Sequence, residues 1–496
     1  MLKNIDVIKE NTEKTPKWLH FGAGNLFRAY MGKIQNDLLE KGYEDTGIIV
    51  AESFDTEIID KVYTPYNNVT ILTTLDKSGE FKNEVIESIV KSIKATDENL
   101  SVLEEIVKNS SLQMISFTIT EKGYNLAGIE SPKHVMNLIA HLLYKRYKNG
   151  KFPISLVSMD NCSGNGDKVK EAVLTIAKIW NSAGVVENDF IAYLEDETKV
   201  AYPISMIDKI TPRPSEVVKN QLENLGYSDM EIVVTGRNSY VAPFVNAEIP
   251  EYFIVEDKFP NGRPAFEHTG IFLTDRETVE KTERMKVTTC LNPLHTTLAI
   301  FGCILNCKSI YEAASDEDLN RIIKNVGYNE GLKVVENPGI IDPKAFIDEV
   351  INERFLNPFI PDQPERIATD TSQKMGIRFG ETIKAYRDSD TLDVKDLKYI
   401  PLVIAGWFRY LLGVDDCGEL RSISSDPMLD MLTKELVGIK FGEKESYSKG
   451  QLKNLMKNKE IFGVDLEEVG LSDLVEMYFI EMLSGKNAVR NLLKNS

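Results

Sequence analysis

Residues 286 to 295 read Lys-Val-Thr-Thr-Cys-Leu-Asn-Pro-Leu-His, bringing a cation, an amide and an imidazole into ten positions. A lysine amine can give a proton to a reacting oxygen or take one from it, while an amide and an imidazole hold that oxygen in place. Lys286, Asn292 and His295 therefore suit metal-free proton transfer at an alcohol or ketone oxygen. Asn292 and His295 are three apart, so an ordinary helix places them on one face, and Lys286 must reach in from the preceding segment. The apolar run 296–305 predicts that helix. The plain alternatives are a surface lysine, a core histidine, and an asparagine that only caps a helix with proline in its first turn.

Redox chemistry at such an oxygen needs a hydride carrier, and the chain has a place for one. Trp18-Leu-His-Phe-Gly-Ala-Gly-Asn-Leu-Phe-Arg-Ala29 puts glycines where an early strand should turn into a helix. Gly22 can make the tight turn, and Gly24 leaves room for a pyrophosphate beside the amides at the helix start. Phe21, Gly22, Ala23, Gly24, Asn25, Leu26 and Phe27 are the candidate cofactor residues there, with Phe27 where a third glycine is usual. Arg28 could add charge to the phosphate contact. After the next strand, Glu52 can accept both ribose hydroxyls of NAD and repel the extra phosphate of NADP; it is preferred to Asp55 because it stands at the strand end. Two further strand ends, 118–124 with Thr120 and 158–166 with Asn161, open onto the same crevice or serve as a charged turn and a helix cap.

A chain of 496 residues with a net charge of −18 exceeds one ordinary core and disfavours nucleic acid and anionic membranes as partners. No signal-peptide pattern and no run of about 20 apolar residues is evident, so a cytoplasmic protein is expected. The histidines at 20, 134, 141, 268 and 295 are dispersed, and the cysteines at 162, 290, 303, 307 and 417 form no CxxC pair, so no metal is expected. Cys303 and Cys307, one helical turn apart, read as packing.

The order of elements predicts an α/β fold: an N-terminal Rossmann-like domain with an extended, mostly parallel sheet, and a predominantly α-helical C-terminal domain. Strands are expected at 18–21, 47–51, 69–73, 114–119, 154–158 and 232–234, and helices near 26–41, 131–147 and 168–179. From about Pro293 onward amphipathic helices follow, including 344–355, 375–386, 403–412 and 429–436. The boundary is expected between residues 270 and 285, giving domains 1–278 and 279–496.

Taken together, Gly22-Ala-Gly-Asn-Leu-Phe-Arg28, Asp160-Asn-Cys-Ser-Gly-Asn-Gly166, Pro203-Ile-Ser-Met-Ile-Asp-Lys-Ile-Thr-Pro212, Glu256-Asp-Lys-Phe259 with Gly262-Arg-Pro264, Leu291-Asn-Pro-Leu-His295 and Arg366-Ile-Ala-Thr-Asp-Thr-Ser-Gln-Lys374 resemble the long-chain mannitol dehydrogenase family, over nearly the whole chain. That family includes polyol dehydrogenases and hexuronate reductases. The resemblance implies that Lys286 is the central acid/base and that Asn292 and His295 bind substrate oxygen and orient it. It also implies substrate-side roles for Asn165, Asp208, Arg366 and Lys374. Six steps separate Lys286 from Asn292, one more than the family's usual spacing, and a bulge could absorb the extra residue. Spacings of four would line Arg366, Asp370 and Lys374 along one side of a helix.

The implied activity is NAD-dependent reduction of a sugar acid or polyol-derived ketone by a monomer or homodimer. Arg366 to Lys374 and Asn357-Pro-Phe-Ile-Pro-Asp362 look most like the mannonate oxidoreductase branch, which favours fructuronate. Mannitol or arabinitol oxidation, tagaturonate reduction and a non-catalytic NAD-sensing role are the alternatives.

Overall fold

Trp18–Phe21 (β1) is buried at every position, as a parallel strand must be when helices cover both sides of its sheet. The computed structural model describes residues 2–496, which divide into two units, Met1–Glu280 and Lys281–Ser496. The first unit continues with Ile48–Glu52 (β2), Thr70–Leu75 (β3), Phe81–Ile86 (β4), Ile89–Lys94 (β5), Met114–Phe117 (β6), Ile154–Ser158 (β7) and Val200–Ala201 (β8). Ser205–Asp208 (β9), Val233–Val234 (β10), Tyr240–Val241 (β11), Phe244–Glu248 (β12), Tyr252–Glu256 (β13) and Phe272–Thr274 (β14) follow.

Six strands pair in the order β5-β2-β1-β6-β7-β8, all parallel. The order reverses at β1, with β2 on one side and β6 on the other, so a crevice opens at the carboxyl ends of these strands. Alternate residues serve opposite faces. Leu19, Phe21, Ile49 and Ala51 join one core with Met136, Ile139, Val169 and Val173, whereas Trp18, Ile48 and Val50 join another with Phe27, Tyr30, Ile34 and Phe253.

The segment 69–73, read from sequence as part of the parallel sheet, belongs to a separate three-stranded sheet ordered β12-β3-β4. Asp76 closes the β3–β4 hairpin by accepting from the amides of Ser78 and Glu80, each at 2.8 Å. The polar sequence of β4, Phe-Lys-Asn-Glu-Val-Ile, carries little strand signal of its own. A third sheet, β14-β13-β9, and the hairpin β10-β11 complete the unit.

The second unit is built of helices around Asn292–Ile304 and Tyr399–Tyr410. These two pass closely at Gly406, where a Cβ would come within 2.6 Å of the Phe301 ring. The segments expected as unbroken helices at 26–41, 344–355 and 375–386 each contain a π-turn, at Phe27–Met31, Val350–Arg354 and Gly376–Gly380. An α-periodic pattern does not reveal one inserted residue, because the flanking turns keep their faces. The helical run Arg276–Ile304 is long and apolar enough to cross a bilayer, although no such run was expected. With 72% of its most apolar window buried inside the protein, it reads as a core helix.

Arg146, fully buried in helix Val135–Lys148, ties the first unit's loops together. Its guanidinium donates to the carbonyls of Val107 and Asn109 at 2.7 Å, Leu112 and Phe152 at 3.0 Å, and Pro153 at 2.6 Å. Burial lowers its pKa to about 10, and Arg146→Met would strand these acceptors without donors. We expect a loss on the order of 3 kcal/mol, read as a lower urea midpoint for the first unit; a midpoint equal to wild type would contradict this.

Candidate active site

In the first unit the glycine turn sits where β1 ends. Gly22 has φ 111°, and a Cβ there would lie 2.3 Å from the Thr118 carbonyl oxygen, so only glycine fits. A Cβ on Gly24 would meet nothing within 4 Å, so open space faces the start of the helix that begins at Asn25. The first-turn amides of Asn25, Leu26 and Phe27 have no intrahelical acceptor and point where an anion would lie. These features fit a dinucleotide pyrophosphate.

Glu52 does more than face a ribose. One carboxylate oxygen accepts from the Ala23 amide at 2.7 Å, and the other accepts from Phe54 and Asp55 at 2.8 and 3.1 Å. The end of β2 is thereby locked to the glycine turn, leaving about one of roughly four acceptor positions for a hydroxyl. Phe21 is fully buried, and Phe27 stacks on His20 with centroids 4.0 Å apart, so each offers the crevice only backbone. Burial takes the pKa of His20 down to about 3, which leaves the ring neutral between Ser116 and Thr118.

Arg28 does not fit the phosphate role. It is fully buried, and its guanidinium donates to Thr70 Oγ1 (2.9 Å), the Ala242 carbonyl (2.8 Å) and Asn25 Oδ1 (2.8 Å). It is an internal brace. Asn165 is likewise spent within the protein: its amide nitrogen serves carbonyls of Ser158, Asp160 and Ser205 and the Ser205 hydroxyl, and its oxygen accepts from Gly166 and Ser205. With no capacity left for a substrate, it holds the loop after β7 in shape. Asp208 closes β9 as a buried strand residue, so it is not a turn residue before Pro212.

Thr120 stands at φ 63° and ψ 162°, a region a β-branched residue rarely occupies. Asp160 holds it there, accepting from the amides of Thr120 and Ile119 at 2.8 and 3.0 Å and from the Tyr124 hydroxyl at 2.5 Å. Burial raises the Asp160 pKa against the pull of these donors. Asn161 lies exposed beside it at the rim.

In the second unit Lys286 opens a π-turn, Lys286–Cys290, and is only 1% exposed, so its side chain does not lie in bulk water. The Leu291 amide donates to the Lys286 carbonyl at 3.1 Å, a bond across five residues. One extra residue is thereby taken up without turning the next helix away. Leu291 holds the N-cap position, and Asn292 is the first residue of the helix, so Asn292 is not the cap. Its side-chain amide makes no hydrogen bond among the described residues, the opposite of Asn165.

His295, one turn on, has Nε2 2.9 Å from Asp362 Oδ2. The approach is close, but the ring nitrogen is not aligned for a hydrogen bond, so the pair is an electrostatic contact. Burial lowers the His295 pKa, and Asp362 partly offsets this. Asp362 also takes the Arg366 Nε and Nη2 at 3.0 and 2.5 Å. Burial pushes its carboxyl up, but His295 and Arg366 outweigh this and leave it below the usual range.

The expected stripe of Arg366, Asp370 and Lys374 does not form. Helix Pro364–Ile367 is short, and Asp370 adopts a left-handed φ of 53° that breaks it. Lys374 instead folds back to donate to the carbonyls of Ile367 and Thr369. Burial and the charge of Arg378 pull its pKa down to about 8. Arg378, to which the sequence reading assigned no role, donates to Thr296 Oγ1, and burial lowers it to about 10. The charges of Arg366 and Arg378 are felt at both His295 and Lys374, so two cations flank the imidazole and Lys374 lies beside those same two. Arg378 four residues after Lys374 and Asp362 four before Arg366 were the available signals. No group of three or more His, Cys, Asp or Glu among the described residues could hold a metal ion.

Residues 16–268 match the mannitol dehydrogenase Rossmann domain and residues 278–479 the mannitol dehydrogenase C-terminal domain. The chain belongs to the mannitol dehydrogenase family. Among relatives in this family, a D-mannonate oxidoreductase of Thermotoga maritima is 50% identical over 511 aligned residues, covering 99% of this chain and 94% of its own. A mannitol dehydrogenase of Saccharomyces cerevisiae is 29% identical, covering 84% and 81%. The fold resembles a D-sorbitol dehydrogenase in substrate-free form, with TM-score 0.75, 22% identity and coverage of 96% and 93%. It also resembles a mannitol 2-dehydrogenase of Pseudomonas fluorescens solved with NAD and D-mannitol, with TM-score 0.71, 24% identity and coverage of 97% and 94%.

Two outcomes test this geometry. Deleting Thr288 should convert the π-turn to an α-turn with Asn292 still on its face, so at least about a tenth of kcat/KM is kept, while inserting an alanine after Thr288 should remove about a hundredfold. Equal loss from both changes would count against the π-turn reading. Asp362→Asn removes the carboxylate shared by His295 and Arg366 and should lower kcat/KM by about ten- to a hundredfold in steady-state assays; activity within twofold of wild type would dismiss the role of Asp362.

Proposed function

We propose that this chain is an NAD-dependent reductase that interconverts fructuronate and mannonate. The observation that carries this reading is the cationic cluster in which the charges of Arg366 and Arg378 reach both His295 and Lys374, in a chain whose net charge is −18. A local cationic cluster on an acidic protein suits an anionic substrate, and a hexuronate carries a carboxylate that an arginine fork can grip. The half-identical relative named for mannonate supports the same choice. A neutral ketose or polyol gains nothing from that charge.

The open Gly24 approach, the first-turn amides and Glu52 would hold NAD, which when bound supplies the hydride for the ketone carbon. Lys286, protonated, gives its proton to the substrate oxygen during reduction and, neutral, takes it back during oxidation. The free amide of Asn292 donates to that oxygen, and His295, set by Asp362, fixes its direction. Arg366, Lys374 and Arg378 grip the carboxylate at the far end of the sugar. The five cysteines, none of them paired, suit the reducing cytoplasm.

NADH consumption with fructuronate, tagaturonate and fructose in parallel tests the assignment, and fructuronate should be the best substrate. The preference should depend on pH in a defined direction. Lys374 is cationic below about pH 8 and loses its charge as pH rises through that value, so the kcat/KM ratio of fructuronate to fructose should fall above it. Lys374→Arg, which stays charged, should flatten the fall. Equal or better turnover of fructose at neutral pH would defeat the proposed substrate.

A further inference from the structure

The turn between β10 and β11 sits on the end of β2 through more bonds than a surface hairpin of two-residue strands needs. Thr235 Oγ1 donates to Asp55 Oδ2 at 2.6 Å, and the Gly236 amide donates to Glu57 Oε2 at 3.3 Å. The Thr235 hydroxyl also accepts from the amides of Arg237 and Ser239, at 3.3 and 3.1 Å, which fixes the turn's shape. From the other side of the crevice, Asn25 in the first turn after Gly24 donates to the Tyr240 carbonyl at 3.4 Å. The hairpin thus bridges the glycine turn and the β2 end, the two walls between which the adenosine half of a dinucleotide lies in this topology.

Two features of that bridge lack a structural purpose. Phe54, directly after the β2 end, is 68% exposed, and the exposed Arg237 guanidinium lies 4.6 Å from its ring centroid. The ring and the guanidinium over it offer a flat, solvent-facing surface beside the crevice. Asp55 is 3% exposed, and its Oδ1 has no donor among the described residues, an unmet acceptor in an otherwise satisfied turn. A flat purine base stacks well on a phenyl ring and a guanidinium plane, and ribose hydroxyls are donors of the kind the Asp55–Glu52 corner lacks.

Resting on the NAD reading above, we propose that the hairpin 233–241 is an adenosine clamp, with Phe54 and Arg237 forming a stack that the adenine extends. The clamp acts on the half of the cofactor remote from the reacting carbon, so it sets cofactor affinity.

Isothermal titration with ADP-ribose and with NADH tests this without turnover. Phe54→Ala and Arg237→Ala should each weaken ADP-ribose binding by about tenfold, with thermal unfolding unchanged because both side chains are exposed. Phe54→Tyr, which keeps a ring in place, should bind as wild type does. Unchanged ADP-ribose affinity in both alanine variants would overturn the clamp while leaving the cofactor reading intact. A wild-type protein that binds neither ADP-ribose nor NADH would overturn both.

Discussion

The hydrogen bond from the Leu291 amide to the Lys286 carbonyl closes a turn one residue longer than an α-helix allows, and the chemistry of the second unit hangs on it. Lys286 and Asn292 belong to one continuous helical run, yet their sequence separation is wrong for sharing a site in an unmodified α-helix. Rather than bending the run, the chain widens it for a single turn, which leaves Lys286 buried and Asn292 at the head of the next helix with its amide unspent. The widened turn packs against Gly376–Gly380, a second π-turn that carries Arg378. Two such turns in contact, one bearing the candidate acid/base and the other a cation, match the tendency of π-turns to occur where side chains must be aimed.

Charge is organised on the same principle of local exception. The protein is acidic overall, but Arg366 and Arg378 act on His295, with Lys374 beside those two and Asp362 as the near counter-charge. Burial weakens the proton hold of Lys374 and Arg378, and mutual repulsion adds to it at Lys374. Such a cluster is costly without an anion, and an anionic ligand would offset that cost. The same balance keeps His295 on the neutral side, able to accept or donate as the tautomer requires.

The first unit holds its strain at the crevice. Asp160 keeps Thr120 in a backbone region that its branched side chain disfavours, and Glu52 spends most of its acceptor capacity on joining the glycine turn to the residues after β2. Both carboxylates act as scaffolding for strand ends, so the amides at the helix start and the open space beside Gly24 are set in place before any ligand arrives. Pre-organisation of this kind reduces the ordering cost of binding.

Much of this was legible in residue order alone. The parallel sheet, the glycine turn at β1 and the helical second half follow from periodicity and spacing, because local patterns of apolar and turn residues carry local structure. The hairpin β3–β4 and the π-turns at Phe27–Met31, Val350–Arg354 and Gly376–Gly380 were not legible, since a polar strand carries little pattern and the turns flanking an inserted residue keep their faces, whereas the turn at Lys286 showed as one residue too many before Asn292. Arg28 and Asn165 carry the right chemistry in the right motif, yet their partners Thr70, Ala242 and Ser205 come from forty or more positions along the chain. Whether a polar side chain is spent or free depends on which distant groups folding brings to it, so sequence settled the types of residue available for chemistry, and tertiary structure alone decided that Asn292 is free, Asn165 is not, and Arg378 joins the site.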